Sequence, residues 1–248
     1  MHISIAAETV THFLGLPISN SLIASLLTTV ILVTISYFAT RNMKEIPKGI
    51  QNVIEFAVES LYNMIQDVTR NKKNTYAFFP VVATIFLFVL VANWTGLLPG
   101  FATIGFHEEA EGGHEVLVSF LRSANSDLNT TLAIAIVSVM STQIMGIAAL
   151  GFFKYGKKFI NLSSPIAFFI GLLEIVSEVA KMISFSFRLF GNVFAGEVLL
   201  TVIMTIAPFI APLPFFAMEL FVGAIQALVF AMLTLVFMNM AVMPHEEH

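Results

Sequence analysis

Five charged residues lie inside an otherwise apolar stretch of this chain: Glu174, Glu178, Lys181, Arg188 and Glu197. Each costs roughly 2.5–3.5 kcal/mol to insert at the centre of a bilayer helix, so an intramembrane charge is read first as functional. At about 100° per residue of helix, Ser184, Arg188 and Asn192, spaced by four, share one face. Glu174, Glu178 and Lys181, at spacings of four and three, share another. Glu178 and Lys181 can pair locally. That trio therefore reads either as a self-compensated polar patch or as the lining of a wet path. Arg188 has no such local remedy. Its nearest acids in sequence are Glu178, ten residues before it, and Glu197, nine after. A guanidinium cannot shed its proton, so Arg188 must face water, another helix or another subunit; snorkelling to a surface is the bland alternative. Glu197, read as an isolated carboxyl in an apolar setting, is a candidate for proton exchange. Further on, Glu219, Gly223 and Gln226 line one face, and Gly223 lets a second helix approach closely. A hairpin of the last two segments would bring Glu219 and Gln226 to Glu197 as a proton relay; the bland alternative is polar groups bonding one another.

These residues need elements to hold them, and the hydropathy pattern predicts an all-α integral membrane protein. Of 248 residues 57% are hydrophobic and only 11% charged, against about 25% charged in soluble domains, so most of the surface is expected to face lipid. There is no cysteine, which excludes disulfides and thiolate metal sites. Residues 1–18 read as a short external tail, without the basic segment of a cleaved signal. Residues 19–40 are the first crossing. Residues 46–70 alternate apolar and polar residues at three- and four-residue spacing, with Pro47 suited to the first turn, and predict an amphipathic helix lying at the interface. Crossings follow at 76–98 and 128–153, the latter with Ser126 and Asp127 placed to cap it. Between them lies a polar loop, 99–127, in which Arg122 is the one basic residue against Glu108, Glu109, Glu111, Glu115 and Asp127. The apolar run 163–207 is about twice the length needed to cross a 30 Å core, so its helix must tilt, bend or break. Pro208, Pro212 and Pro214 end it. Residues 213–243 form the last crossing and 244–248 a polar tail.

Charge sets the topology. Six of the twelve Lys and Arg residues lie between 41 and 73 and three between 154 and 158. The positive-inside rule places both regions in the cytoplasm. Five passes then put the N-terminus and the acidic loop outside and the C-terminus inside. No HExxH, GxSxG or phosphate-binding glycine loop occurs, none of the six histidines lies in an apolar run, and no half-to-half repeat suggests a secondary transporter.

The run FRLFGNVFAGE at 187–197, with ANWTGLLPG at 92–100, SDLNTTLA at 126–133 and IQALVFAMLT at 225–234, closely resembles the subunit a family of the F-type ATP synthase membrane sector. The resemblance keeps the order of segments over nearly the whole chain. It implies a stator protein whose last two helices form a long, tilted hairpin against the c-subunit ring, alongside b-type peripheral stalk subunits and the remainder of the synthase. It implies that Arg188 faces the ring carboxylate. It also implies that Asn192 and Ser184 belong to a cytoplasmic half-channel, that Glu197, Gln226 and Asn93 lie on the path from outside, and that Lys181 and Glu174 occupy further polar positions. Some bacterial members carry histidine where this chain has Glu219, so two carboxyls here are expected to share one proton. The coupling ion is expected to be the proton, with sodium as the ring-dependent alternative. The resemblance implies a bacterial inner membrane, no cofactor or metal, no nucleic-acid partner, and no catalytic site for ATP chemistry within the chain. A stand-alone polytopic channel or carrier is the competing reading.

Overall fold

The computed structural model describes residues 7–13, 15–41, 43, 49–98, 104–109, 115–160 and 164–243. The expected tail at 244–248, the first residues of the N-terminal tail, Pro47 and parts of the 99–127 loop, Glu111 among them, lie outside the described residues.

Among the described residues seven helices form. They are α1 (Asn20–Arg41), α2 (Ile50–Thr69), α3 (Lys72–Thr95), α4 (Leu128–Leu150), the short α5 (Phe152–Gly156), α6 (Pro165–Ile206) and α7 (Pro212–Val242). Five of them, α1, α3, α4, α6 and α7, are long and apolar enough to cross a membrane. A single 3-10 turn at Ala124–Ser126 precedes α4. Two small antiparallel hairpins were not anticipated in an all-α reading. They are β1 (Thr9–Phe13) with β2 (Leu16–Ser19), and β3 (Gly105–Glu109) with β4 (Glu115–Ser119). Both lie at the end of the bundle that carries the acidic loop, called here the acidic end. The opposite, basic end carries Arg41, Arg70 and Lys158.

Local chemistry explains where the helices stop. The Asp127 side chain caps α4, accepting from the Thr130 amide at 3.2 Å, and also accepts from Ser21 Oγ of α1 at 3.3 Å. Ser164 caps α6 through the Ala167 amide at 3.1 Å, and Pro165 takes the first helical position, where a missing N–H costs nothing. Arg70 turns the chain between α2 and α3 in the left-handed conformation (φ 51°), and Asn71 then caps α3. The predicted crossing through Phe153 ends earlier, because Gly151 adopts φ 85° and redirects the chain into α5. Tyr155 of α5 then folds back against Gly146, where a side chain would meet its ring, and donates to Gln143 Oε1 at 2.6 Å.

α7 is the centre of the bundle. Its buried side chains recur at three- and four-residue spacing from Gly223 to Ala241 and pack against α3, α4, α6 and α2. One core joins Leu61 and Ile65 of α2 to Phe78 and Val82 of α3 and to Leu235 and Met238 of α7. A second joins Ile85 and Val89 of α3, Ala135 of α4, Phe185 and Leu189 of α6, and Phe230 of α7. The amphipathic α2 thus anchors by Leu61 and Ile65 while Val53 and Phe56 stay exposed. α6 packs along only part of its surface, chiefly against α4 and α7. With 42 residues it is about 63 Å long, twice a hydrocarbon core of about 30 Å. It buries only a narrow seam, including Gly171, Glu178, Phe185, Leu189, Gly196 and Leu200. Its other faces expose Phe168, Leu172, Val176, Ile183 and Phe187. A helix apolar outside its seam is suited to lipid or to another apolar subunit.

Candidate functional site: an open arginine between two paired clusters

The polar residues of α6 separate into three groups along its axis. At the basic end, Lys158, from the turn after α5, reaches Glu174 Oε1 at 2.7 Å and Glu178 Oε1 at 3.6 Å. Lys181 donates to the same Glu178 oxygen at 2.9 Å, the local pairing expected from the spacing. Lys158 had not been expected in this group. Its Nζ lies 5.7 and 5.5 Å from the ring centroids of Tyr155 and Phe159, a cation–π arrangement. These four charges, with Thr142 and Phe237, line a cavity of about 170 Å³. Burial, followed by the charges of Glu178 and Glu174, pushes the Tyr155 phenol up to about 12, so it remains a hydrogen-bond donor at any physiological pH.

In the middle lies Arg188. It is exposed, and no carboxylate among the described residues pairs with it. Its guanidinium carbon lies 5.9 Å from the centroid of Phe185. Ser184 and Asn192 are exposed on the same flank of the buried seam. One turn beyond Arg188, Asn192 Nδ2 donates to Gln226 Oε1 of α7 at 2.7 Å. The family resemblance implies that Asn192 and Gln226 sit on different halves of a path; the structure joins them directly beside the arginine.

At the acidic end, Glu197 is not isolated. Arg122 Nε lies 3.2 and 3.3 Å from its two carboxylate oxygens, across 75 residues of sequence. Only 5% of Arg122 is exposed, and its guanidinium carbon lies 5.8 Å from the Phe194 ring centroid. Sequence reasoning missed this residue because it was counted as loop charge. The available signal was that it is the one basic residue in an acidic loop, five positions before a helix cap. Glu219, on α7, rests its carboxyl against Gly196, where an added Cβ would meet all three carboxyl atoms. The hairpin therefore brings Glu219 to the residue next to Glu197.

Asn93 completes the group from α3. It donates to the Gly223 carbonyl at 3.0 Å and accepts from Asn125 Nδ2 at 2.7 Å. Trp94 Nε1 donates to the Leu220 carbonyl at 3.0 Å. These buried hydrogen bonds tie α3, α7 and the 3-10 turn to one another, while the Asn125 Oδ1 is buried without a hydrogen-bond partner among the described residues. The segment 119–127 is held on its other side by Asn20 Nδ2, which donates to the Ser119 carbonyl at 3.3 Å.

The arrangement thus consists of a permanent cation on an exposed helix face, unpaired among the described residues, with the Lys158–Glu174–Glu178–Lys181 pairs on its basic side and the Arg122–Glu197 pair on its acidic side. Comparison with known proteins agrees with the motif-level resemblance. The family model described as ATP synthase A chain matches residues 22–239. The ATP synthase subunit a of Campylobacter fetus subsp. fetus is 33% identical over 229 residues, covering 92% of each chain. That of Campylobacter jejuni strain RM1221 is 34% identical over 225 residues, covering 90% of this chain and 89% of the relative. That of Gloeobacter violaceus is 32% identical over 234 residues, covering 92% and 86%. Taken with five apolar helices of spanning length, these matches make the protein a multi-pass integral membrane protein that belongs to the ATP synthase A chain family.

Proposed function

We propose that this chain is the stator subunit that carries protons to and from a rotating ring of c subunits in an F-type ATP synthase. The observation that carries the reading is Arg188: an exposed guanidinium without an anionic partner among the described residues, while Glu174, Glu178, Lys181 and Glu197 are all paired. A buried or lipid-facing cation demands a counter-charge. In this reading a carboxylate on the ring supplies it. The exposed apolar faces of α6 and α7 on either side are suited to the ring's outer surface.

The mechanism follows from charge. A proton enters from the acidic end, taken as the outside, by way of Asn93, Glu197, Glu219 and Gln226. It neutralises a ring carboxylate, which can then turn into lipid. On return the carboxyl meets Arg188, whose fixed charge favours the ionised form, and the proton leaves past Ser184 towards Lys181, Glu178 and Glu174 at the cytoplasmic end; Asn192, one turn from Arg188 towards the acidic end and bonded to Gln226, belongs to the entry side in this reading. Arg188 also separates the two half-channels, because a cation that cannot titrate neither relays nor tolerates a passing proton. Each charge crossing the membrane potential contributes about 2.3 kcal/mol per 100 mV. The basic loops support an N-terminus outside and a C-terminus in the cytoplasm, and in this reading the chain works in a bacterial inner membrane with b-type stalk subunits and the rest of the synthase as partners. The proton is the coupling ion, with sodium as the alternative set by the ring.

The deciding variant is Arg188→Ala in the assembled complex. ATP-driven proton pumping by inverted membrane vesicles is expected to vanish while the complex still assembles. Normal pumping by that variant sinks the assignment. Ion transport by the purified chain without other subunits would favour a stand-alone channel.

A further inference from the structure

Arg122 is absent from every role described so far, yet it is a buried cation brought from an extramembrane segment onto a transmembrane carboxylate. We propose that Arg122 is the positioning residue of the outer proton path: it clamps Glu197 and thereby sets where that carboxylate stands relative to Glu219. This inference rests on the half-channel reading above.

Three observations support it. The clamp is centred on the carboxylate, with Nε almost equidistant from both oxygens at 3.2 and 3.3 Å. An oxygen pair held in this way cannot rotate freely about its terminal bond. The clamp is also rigid at its base. The segment that follows Arg122 is fixed by Ser123 Oγ donating to the Ala92 carbonyl at 3.4 Å, by Asn125 donating to Asn93, and by Asp127 capping α4. Ser123 packs so tightly on Gly96 that a side chain there would meet its Cβ and Oγ. Finally, α7 seats the Glu219 carboxyl against the α6 residue that directly precedes Glu197. Glu219 occupies the space over Gly196, and Glu197 follows immediately in sequence. A proton passing between groups on neighbouring positions is sensitive to their separation, and fixing one of them fixes the transfer geometry. The guanidinium, which cannot titrate, is suited to hold a proton-exchanging neighbour without joining the exchange.

The test uses the assembled complex in membrane vesicles, with the soluble head removed to read passive proton conduction and retained to read ATP-driven pumping. Arg122→Ala is expected to lower passive conduction roughly tenfold to a hundredfold and to displace its dependence on pH at the outer side, leaving the dependence on inner pH unchanged. In a Glu197→Gln background the same substitution is expected to add nothing, because its target is gone. Parental conduction by Arg122→Ala, an unchanged outer-pH profile, or losses that simply add to those of Glu197→Gln each overturn the proposal. Should Arg122→Ala not assemble, Arg122→Gln carries the same expectation. If neither assembles while Glu197→Gln does, Arg122 holds the fold rather than the path, and the proposal is overturned. Arg188→Ala run alongside separates the failures: if it still pumps, the half-channel reading itself falls; if it is inactive and Arg122→Ala is normal, only the clamp falls.

Discussion

Replacing Gly196 with alanine separates the stability of the hairpin from its conduction. Gly196 is buried on α6, and the Cβ of an alanine would fall well inside van der Waals distance of the Glu219 carboxyl. Carbon–oxygen contact needs about 3.5 Å, so the carboxyl must retreat by roughly 1 Å. The obstacle is the far end of a flexible side chain rather than backbone, so the retreat is a rotamer adjustment that costs roughly 1 kcal/mol. Against it, exchanging Gly for Ala inside a helix contributes about 0.5–1 kcal/mol through lost freedom of the unfolded chain. The two effects nearly cancel. Thermal denaturation of the purified complex should therefore lie close to that of the parent. Conduction should not. A displacement of about 1 Å in a proton-transfer geometry can lower the rate roughly a hundredfold. The assay pairs dye-quench measurement of ATP-driven pumping in inverted vesicles with a melting curve of the same preparation. Pumping within about twofold of the parent in a complex of parental stability would refute the placement of Glu219 on the path. A large loss of stability would instead refute the argument that its side chain yields easily.

Two further expectations come from the same geometry. Asn192 and Gln226 form a single side-chain bond at 2.7 Å, so Asn192→Ala and Gln226→Ala should be non-additive in a double-mutant cycle on pumping rate, with a coupling of about 1 kcal/mol; strictly additive losses would mean that the two side chains act separately. Lys158→Ala strips Glu174 of its 2.7 Å partner but leaves Glu178 with Lys181. It should destabilise the basic end by about 2–3 kcal/mol, below the range for breaking a fully buried pair, measured as a lower melting temperature; an unchanged melt would show that solvent replaces the lysine.

Much of the architecture was legible in the sequence because a bilayer leaves few choices. Backbone groups in hydrocarbon must pair within their own segment, so long apolar runs become helices, and α1, α3, α4, α6 and α7 follow from run length alone. Capping by Asp127, the proline-marked end of α6 and the local Glu178–Lys181 pair depend on neighbours within a few residues, which a linear reading captures. The openness of Arg188 was legible for the same reason: no acid lies within a helical turn or two of it. The outcome for Glu197 was not. Local spacing made it an isolated carboxyl, whereas its cation arrives from residue 122 through a loop whose path depends on Asn20, Asn93 and Ser123. Lys158 reached Glu174 in the same way, because Gly151 turned a predicted straight helix back on itself. The joining of Asn192 to Gln226 and the seating of Glu219 on Gly196 likewise required the register of α6 against α7. The sequence by itself determined the spanning helices, the polar faces they carry and the solitary arginine, since those depend on local periodicity and on the cost of charge in lipid. Only the tertiary structure decided which charges are neutralised and by whom, because an ion pair depends on distances between side chains that the order of residues does not contain.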